Sequence, residues 1–292
     1  MIVAETAEGY QFVTQPDHAA LAGQFADHWG TDDTGPDTTQ FDRPDPFAPL
    51  ALAAYAHDTG WRDFDRHPRL SDDGEPIDFR EMPADPWIDL YDEGIDAVVE
   101  ADAYAGLLVS MHGAGLRKRR YGLSPGWPET PERFRAFVAC EERRQDRLAE
   151  RLRADEPRPS LTDADYELLD SLHDSAGVPD GYDGRLWADY RRLQAWDELS
   201  LAFCITGDPP GYDEIEGVPT SGPRAGATLS ITSLDSGEYR VDPYPFAGSP
   251  LDVSVPLRRV DADAFSDEGS LVHAYYEADR ETRSITLTAG GQ

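Results

Sequence analysis

The sequence predicts an α+β protein: a mainly helical body with a smaller β subdomain, formed by C-terminal strands and an N-terminal hairpin. Three observations carry that expectation. Between residues 14 and 206, apolar residues recur at helical spacing behind capping signals. A Gly/Pro-rich connector over 207–226, opening Gly207-Asp208-Pro209-Pro210-Gly211, interrupts the pattern. Over 227–292 the apolar runs become short and alternating, as strands require.

Residues 1–13 read as a hairpin, Ile2-Val3-Ala4 and Tyr10-Gln11-Phe12-Val13 about a turn at Ala7-Glu8-Gly9. Thr14-Gln15-Pro16-Asp17 opens the first helix, with an acidic residue three on from the capping threonine and proline in the first turn. Residues 30–46 are rich in Asp, Thr, Pro and Gly and predict a loop, and a helix follows from Pro49 to Asp58. The stretch 66–86 again predicts a loop. Helices are expected near 88–100 and 101–116, from Thr130-Pro131-Glu132 to about 154, behind Thr162-Asp163-Ala164-Asp165, and from Gly184 to Cys204. The strand-like runs are Thr228–Thr232, Tyr239–Val241, Leu251–Val255, Leu271–Tyr276 and Ser284–Thr288, with a turn at Asp235-Ser236-Gly237.

Lys+Arg number 26 against 57 Asp+Glu, a formal net charge of −31 over 292 residues. That balance argues against nucleic acid and against anionic lipid surfaces as partners. No apolar run approaches the roughly 20 residues that span a bilayer, and Met1-Ile2-Val3-Ala4-Glu5 lacks the basic and apolar regions of a signal peptide. Cys140 and Cys204 make no disulfide framework, so the expected location is the reducing cytoplasm. Acidic residues are spread throughout, and Lys118 is the one lysine. Such a charge repels itself, and molar salt, with a Debye length of about 3 Å, screens it. The composition is that of a halophile working in molar salt. Tm is therefore expected to rise steadily as KCl is raised from about 0.1 M to molar, and scanning calorimetry over that series checks it; a flat or falling Tm would refute the halophile reading.

Certain polar residues sit where apolar ones belong. In the last helix the stripe runs Leu186, Tyr190, Leu193, Asp197, Leu201, Cys204, so Asp197 faces the core. His18 begins the stripe of Leu21, Ala22, Phe25 and Trp29; His57 follows Leu50, Ala53 and Ala54; His112 lies in line with Leu108 and Leu116. A lone buried histidine is usually a satisfied core residue. Four such polar residues on separate helices that share one core point at each other, and a divalent metal would satisfy them together.

His57-Asp58-Thr59-Gly60 resembles the His-Asp-x-Gly doublet of the HD superfamily of metal-dependent phosphohydrolases. His18, His57-Asp58 and Asp197 stand in that superfamily's order, and His112 matches the additional histidine of its two-metal members. A closer similarity is to a prokaryotic family known as a domain of unknown function, through Gln15-Pro16-Asp17-His18, His57-Asp58-Thr59-Gly60-Trp61 and Ser110-Met111-His112. It extends over most of the chain, including Tyr244-Pro245-Phe246. Asp197 departs most from the pattern, because the interval from Asp58 is long.

The resemblance implies an HD-like helical body holding one or two divalent ions (manganese, iron, zinc, nickel or magnesium) on His18, His57, Asp58, His112 and Asp197, with Asp58 and His112 catalytic. Its activity would be hydrolysis of a phosphate ester, a nucleotide or small phosphometabolite, by activated water. His112 reads equally as second-metal ligand or general acid. An anionic substrate needs cations, and Arg117-Lys118-Arg119-Arg120 starts five residues after His112. The same run reads equally as a complement to the helix dipole. A non-catalytic binding protein and a di-iron oxygenase are the alternative functions. Oligomeric state leaves no signal. His28, His67, His173 and His273 read as surface or supporting residues, and Ser110 lacks the surroundings of a nucleophile.

Overall fold

A computed structural model describes residues 1–31, 40–122, 131–154, 161–206, 210–222 and 224–290. Gly207-Asp208-Pro209 and Thr130, and residues 32–39 of the 30–46 loop, lie outside those residues.

β1 (Ile2–Glu5) and β2 (Gly9–Val13) form the expected hairpin, and β2 pairs onward with β6 (Leu251–Asp261). With β3 (Glu214–Pro219), β4 (Gly226–Asp235), β5 (Glu238–Asp242) and β7 (Glu281–Ala289) they make one seven-stranded sheet ordered β1-β2-β6-β7-β5-β4-β3. The first and last parts of the chain therefore share one sheet. On β6 the pleat is explicit: Leu251, Val253, Val255 and Leu257 are buried while the residues between them are not.

The helical body is α1 (Gln15–Asp27), α2 (Phe47–Ala56), α3 (Ala84–Ala101), α4 (Ala103–Arg117), α5 (Glu132–Ala154), α6 (Asp163–His173) and α7 (Leu186–Cys204). The caps read from the chain are present: Thr14 accepts from Asp17 N, and Thr162 with Asp165 closes a capping box. Asp102 ends α3 and caps α4, accepting from the amides of Tyr104 and Ala105. In α7 every residue but Glu198 is buried, making it the central pillar of the body. Its neighbour α1 is laced to the sheet: Gln24 donates to Ser254 O at 2.9 Å and accepts from Ser254 N at 3.0 Å, standing in for a strand partner. Arg283 of β7 donates to Phe203 O and Thr206 O, tying down the end of α7.

Four expectations are corrected. Leu271–Tyr276 is not a strand but part of α8 (Glu268–Glu277). Asp267 and Ser270 form a capping box, and Leu271 and Tyr275, four apart, bury one face against Met1, Val3, Phe12 and Val260. The connector contains β3, which pairs with β4. The stretch 66–86 holds a short 3-10 turn, Phe79–Glu81, and the start of α3. Finally, α2 stops at Ala56, so His57 is its C-cap and Asp58 lies in the turn beyond. Among the described residues no helix is long and apolar enough to cross a membrane.

Candidate metal centre

Three elements deliver the site. α1 presents His18, the end of α2 presents His57 and Asp58, and α7 presents Asp197; all four are at least 96% buried, His57 at 2% exposure and Asp58 at 4%. His18 Nε2 lies 3.1 Å from Asp197 Oδ1 and 3.3 Å from His57 Nε2. Asp58 Oδ2 stands 3.8 Å from His18 Nε2 and 3.6 Å from His57 Nε2, and Asp197 Oδ1 is 3.5 Å from the latter. His112, on α4, joins from the other side, its ring centroid 5.0 Å from that of His57. His18, His57 and Asp58 form one group that could hold a metal ion, and His57, His112 and Asp197 a second.

The hydrogen bonds behind the histidines settle which nitrogens face the centre. His57 Nδ1 sits 2.8 Å from Ala54 O, and a carbonyl only accepts, so that nitrogen carries hydrogen. Ser200 Oγ donates to Asp197 O at 2.9 Å and lies 2.9 Å from His18 Nδ1. With its one hydrogen spent, the serine accepts from His18 Nδ1–H. When the rings are neutral, both Nε2 electron pairs therefore point at the same spot as two carboxylate oxygens. Donors about 2.1 Å from a shared ion stand roughly 3.0–3.4 Å apart, and these separations match or slightly exceed that. Imidazole and carboxylate together suit a first-row divalent cation.

The electrostatics say that a positive charge is required. Burial works against a charged His57, yet Asp58 and the hydrogen bond to Asp197 outweigh it and raise its pKa to about 9. Burial alone would raise Asp197, but hydrogen bonds from His18 and His57 hold it well below the usual carboxylate range. His112 goes the other way: burial, only partly offset by Asp197, lowers it to about 4.

Above the cluster opens a cavity of about 350 Å³ lined by His18, Asp58, His112 and Asp197, by Trp87, Tyr91 and Tyr212, and by Arg80, Arg117 and Arg120. The basic run is thereby divided. Arg120 reaches inward, 3.4 Å from Asp197 Oδ2 and paired with Glu198. Arg117 is gripped between the rings of Trp87 and Phe134, 3.9 and 3.8 Å from their centroids, and burial lowers its pKa to about 10. Lys118 does not reach the cavity, because Glu142, Leu172 O and His173 O hold it against α5 and α6. Arg119 is exposed and faces a neighbouring groove. Successive helical residues leave in different directions, and here Arg119, Arg120 and Tyr121 also take left-handed φ of 55°, 49° and 52°, which turns Arg120 back towards α7.

Several supporting residues carried no sequence signal strong enough to single them out. Tyr91 OH donates to Asp58 Oδ1 at 2.8 Å, holding Oδ2 toward the histidines. Ser200 and Gln194 lie three residues after and three before Asp197 on α7, next to the stripe of Leu193, Asp197 and Leu201 but not part of it, so that stripe did not single them out. His28 and His67 are exposed, as is His273. His173 belongs to a separate network, bonded to Gln145 Oε1 at 2.9 Å, in which Gln145 and Glu141 both meet Ser110. Ser110 therefore donates to a carboxylate and is not poised as a nucleophile.

A family described as "Protein of unknown function (DUF3891)" matches residues 1–262, a span that contains every residue of the centre. No curated protein and no solved structure matches the chain.

Proposed function

The chain belongs to the DUF3891 family, and since that family's description assigns no activity, we propose one from the site itself: hydrolysis of a small phosphate ester, a nucleotide or phosphometabolite, assisted by a divalent metal. The observation that carries this reading is the meeting of two ligand-ready imidazoles and two carboxylates at the foot of a cavity lined by three arginines. In a chain of net charge −31, three guanidiniums line one cavity, Arg80 also paired with Asp78 and Arg120 with Asp197 and Glu198, and such N–H groups suit the oxygens of an anion. The order of His18, His57-Asp58 and Asp197 along the chain, similar to that of the HD superfamily, supports the same reading.

The ligands would be His18, His57, Asp58 and Asp197, with His112 beside them. A bound divalent ion supplies a Lewis acid and a water whose pKa is brought toward about 7. The protein's own groups do the rest. Tyr91 orients Asp58, Ser200 and Ala54 O orient the imidazoles, and Arg117 and Arg120 receive the anionic oxygens. Phe79, Leu116 and Leu201 line the same cavity, and their apolar surface strengthens the charge interactions beside it.

Metal content by mass spectrometry, on untagged protein purified in molar KCl, tests the site beside a His57→Ala/Asp58→Ala variant. Expected are one or two equivalents in the parent, under about a tenth as much in the variant, and phosphate-ester turnover that follows the metal. Metal without turnover of any phosphate ester would overturn the hydrolase in favour of a non-catalytic metal protein. Two irons per chain with oxygen uptake would replace it by an oxygenase.

A further inference from the structure

We infer that Gln194 divides the three histidines of the centre into two ligands and one hydrogen-bond donor, by holding His112 with its hydrogen on Nε2. Gln194 is 3% exposed and sits on α7, one turn before Asp197. Its side-chain amide Nε2 lies 2.8 Å from His112 Nδ1 and donates to it. A nitrogen that accepts a hydrogen bond carries no hydrogen, so the imidazole must carry it on the other nitrogen. The arrangement is the opposite of that at His18 and His57, whose Nδ1 atoms donate to Ser200 and to Ala54 O.

Gln194 turns its amide nitrogen to His112 and leaves its Oε1 without a hydrogen-bond partner among the described residues. An amide nitrogen only donates, so the bond to His112 Nδ1 has one sense.

The consequence is chemical. Nε2 is the ring nitrogen that Gln194 does not meet, and His112 lines the cavity alongside Arg117 and Arg120. An N–H there cannot ligate a metal. It can donate a hydrogen bond to an oxygen of a bound ester and so hold the negative charge that gathers there as the bond to the leaving group breaks, the leaving oxygen keeping the electron pair and taking its proton from water. The tautomer stands on geometry alone; its use on a bound ester rests on the hydrolase reading. Gln194 is then a positioning residue, acting through His112.

Nitrogen-15 NMR of the histidine rings in zinc-loaded protein, with His112 assigned by a His112→Gln variant, reads the tautomer directly. Expected is hydrogen on Nε2 of His112 and on Nδ1 of His18 and His57. Gln194→Glu offers an acceptor only, and should move the His112 hydrogen to Nδ1, raise zinc affinity about tenfold by adding a ligand, and lower ester turnover roughly 100-fold or more. Gln194→Met keeps the volume, controls for folding, and should leave zinc affinity within about threefold while losing the fixed tautomer. Hydrogen on Nδ1 of His112 in the parent, or an unchanged ring spectrum in both variants, overturns the inference. The correct tautomer in a protein that hydrolyses no ester would instead count against the hydrolase alone.

Discussion

Asp197→Ala is expected to destabilise the metal-free protein by about 3–5 kcal/mol, the cost of stripping a buried charge of its partner. Asp197 faces His18, His57 and Arg120 at once, and all of these are buried or nearly so. Removing it leaves the cationic His57 with Asp58 alone, and the Arg120 guanidinium with Glu198 alone. The sign of the pH dependence follows from the two groups. Asp197 has its pKa depressed from 3.8, so its contribution is complete above that value and is lost as pH falls toward its folded pKa. His57 is raised from 6.5 to about 9, so its contribution is complete below 6.5 and fades as pH rises through about 9. The gap between parent and variant should therefore be widest from about pH 4 to 6.5 and narrower above 9. Urea titrations in molar KCl with chelator, at points across that range, measure it. A gap that is constant or widens toward alkaline pH would show that the ion pairs are not its source.

Gly60→Ala should be nearly as damaging, for a reason that has nothing to do with charge. A Cβ at Gly60 would collide with Leu90 O and lie 2.9 Å from Leu90 C, backbone atoms of α3 that cannot swing aside. Gly94, one turn later on α3, meets Gly60 in return, with its own added Cβ 2.9 Å from Gly60 N. The turn after His57-Asp58 and α3 are thus in contact backbone to backbone. Forcing them apart costs about 3 kcal/mol or more, a fall in Tm of roughly 6 °C or more for a chain of this size. It also carries Tyr91 away from Asp58, so metal affinity should drop about 10- to 100-fold. Calorimetry and zinc titration of the variant test both parts; a variant with parental Tm would mean that α3 yields easily.

The same glycine shows how the chain can be read and where reading stops. In the sequence, Gly60 is a letter of a short motif; in the structure it is the clearance between two backbones. His18, His57, His112 and Asp197 were legible because each interrupts an apolar stripe whose facing is set by helix geometry alone. Tyr91 was not, since an aromatic on the buried face of α3 looks like any core residue until its hydroxyl is seen on Asp58. Lys118 and Arg119 were read with Arg117 and Arg120 as one basic island, because composition cannot say which way each side chain leaves the end of a helix.

By itself, the sequence determined the α+β class, nearly every helix, the β hairpin and the presence of buried imidazole and carboxylate groups. Those features rest on interactions within a few residues: caps at three, helical faces at three and four, pleats at two. Leu271–Tyr276 escaped because six residues fit either period, and only the Asp267–Ser270 cap and the packing on Met1 and Phe12 make it a helix. Tertiary structure alone decided that His18 would meet Asp197 across 179 residues of chain, which nitrogen of each ring faces the centre, and which arginines enter the cavity. Periodicity reports the face an element buries; what that face meets is chosen by the packing of every other element against it.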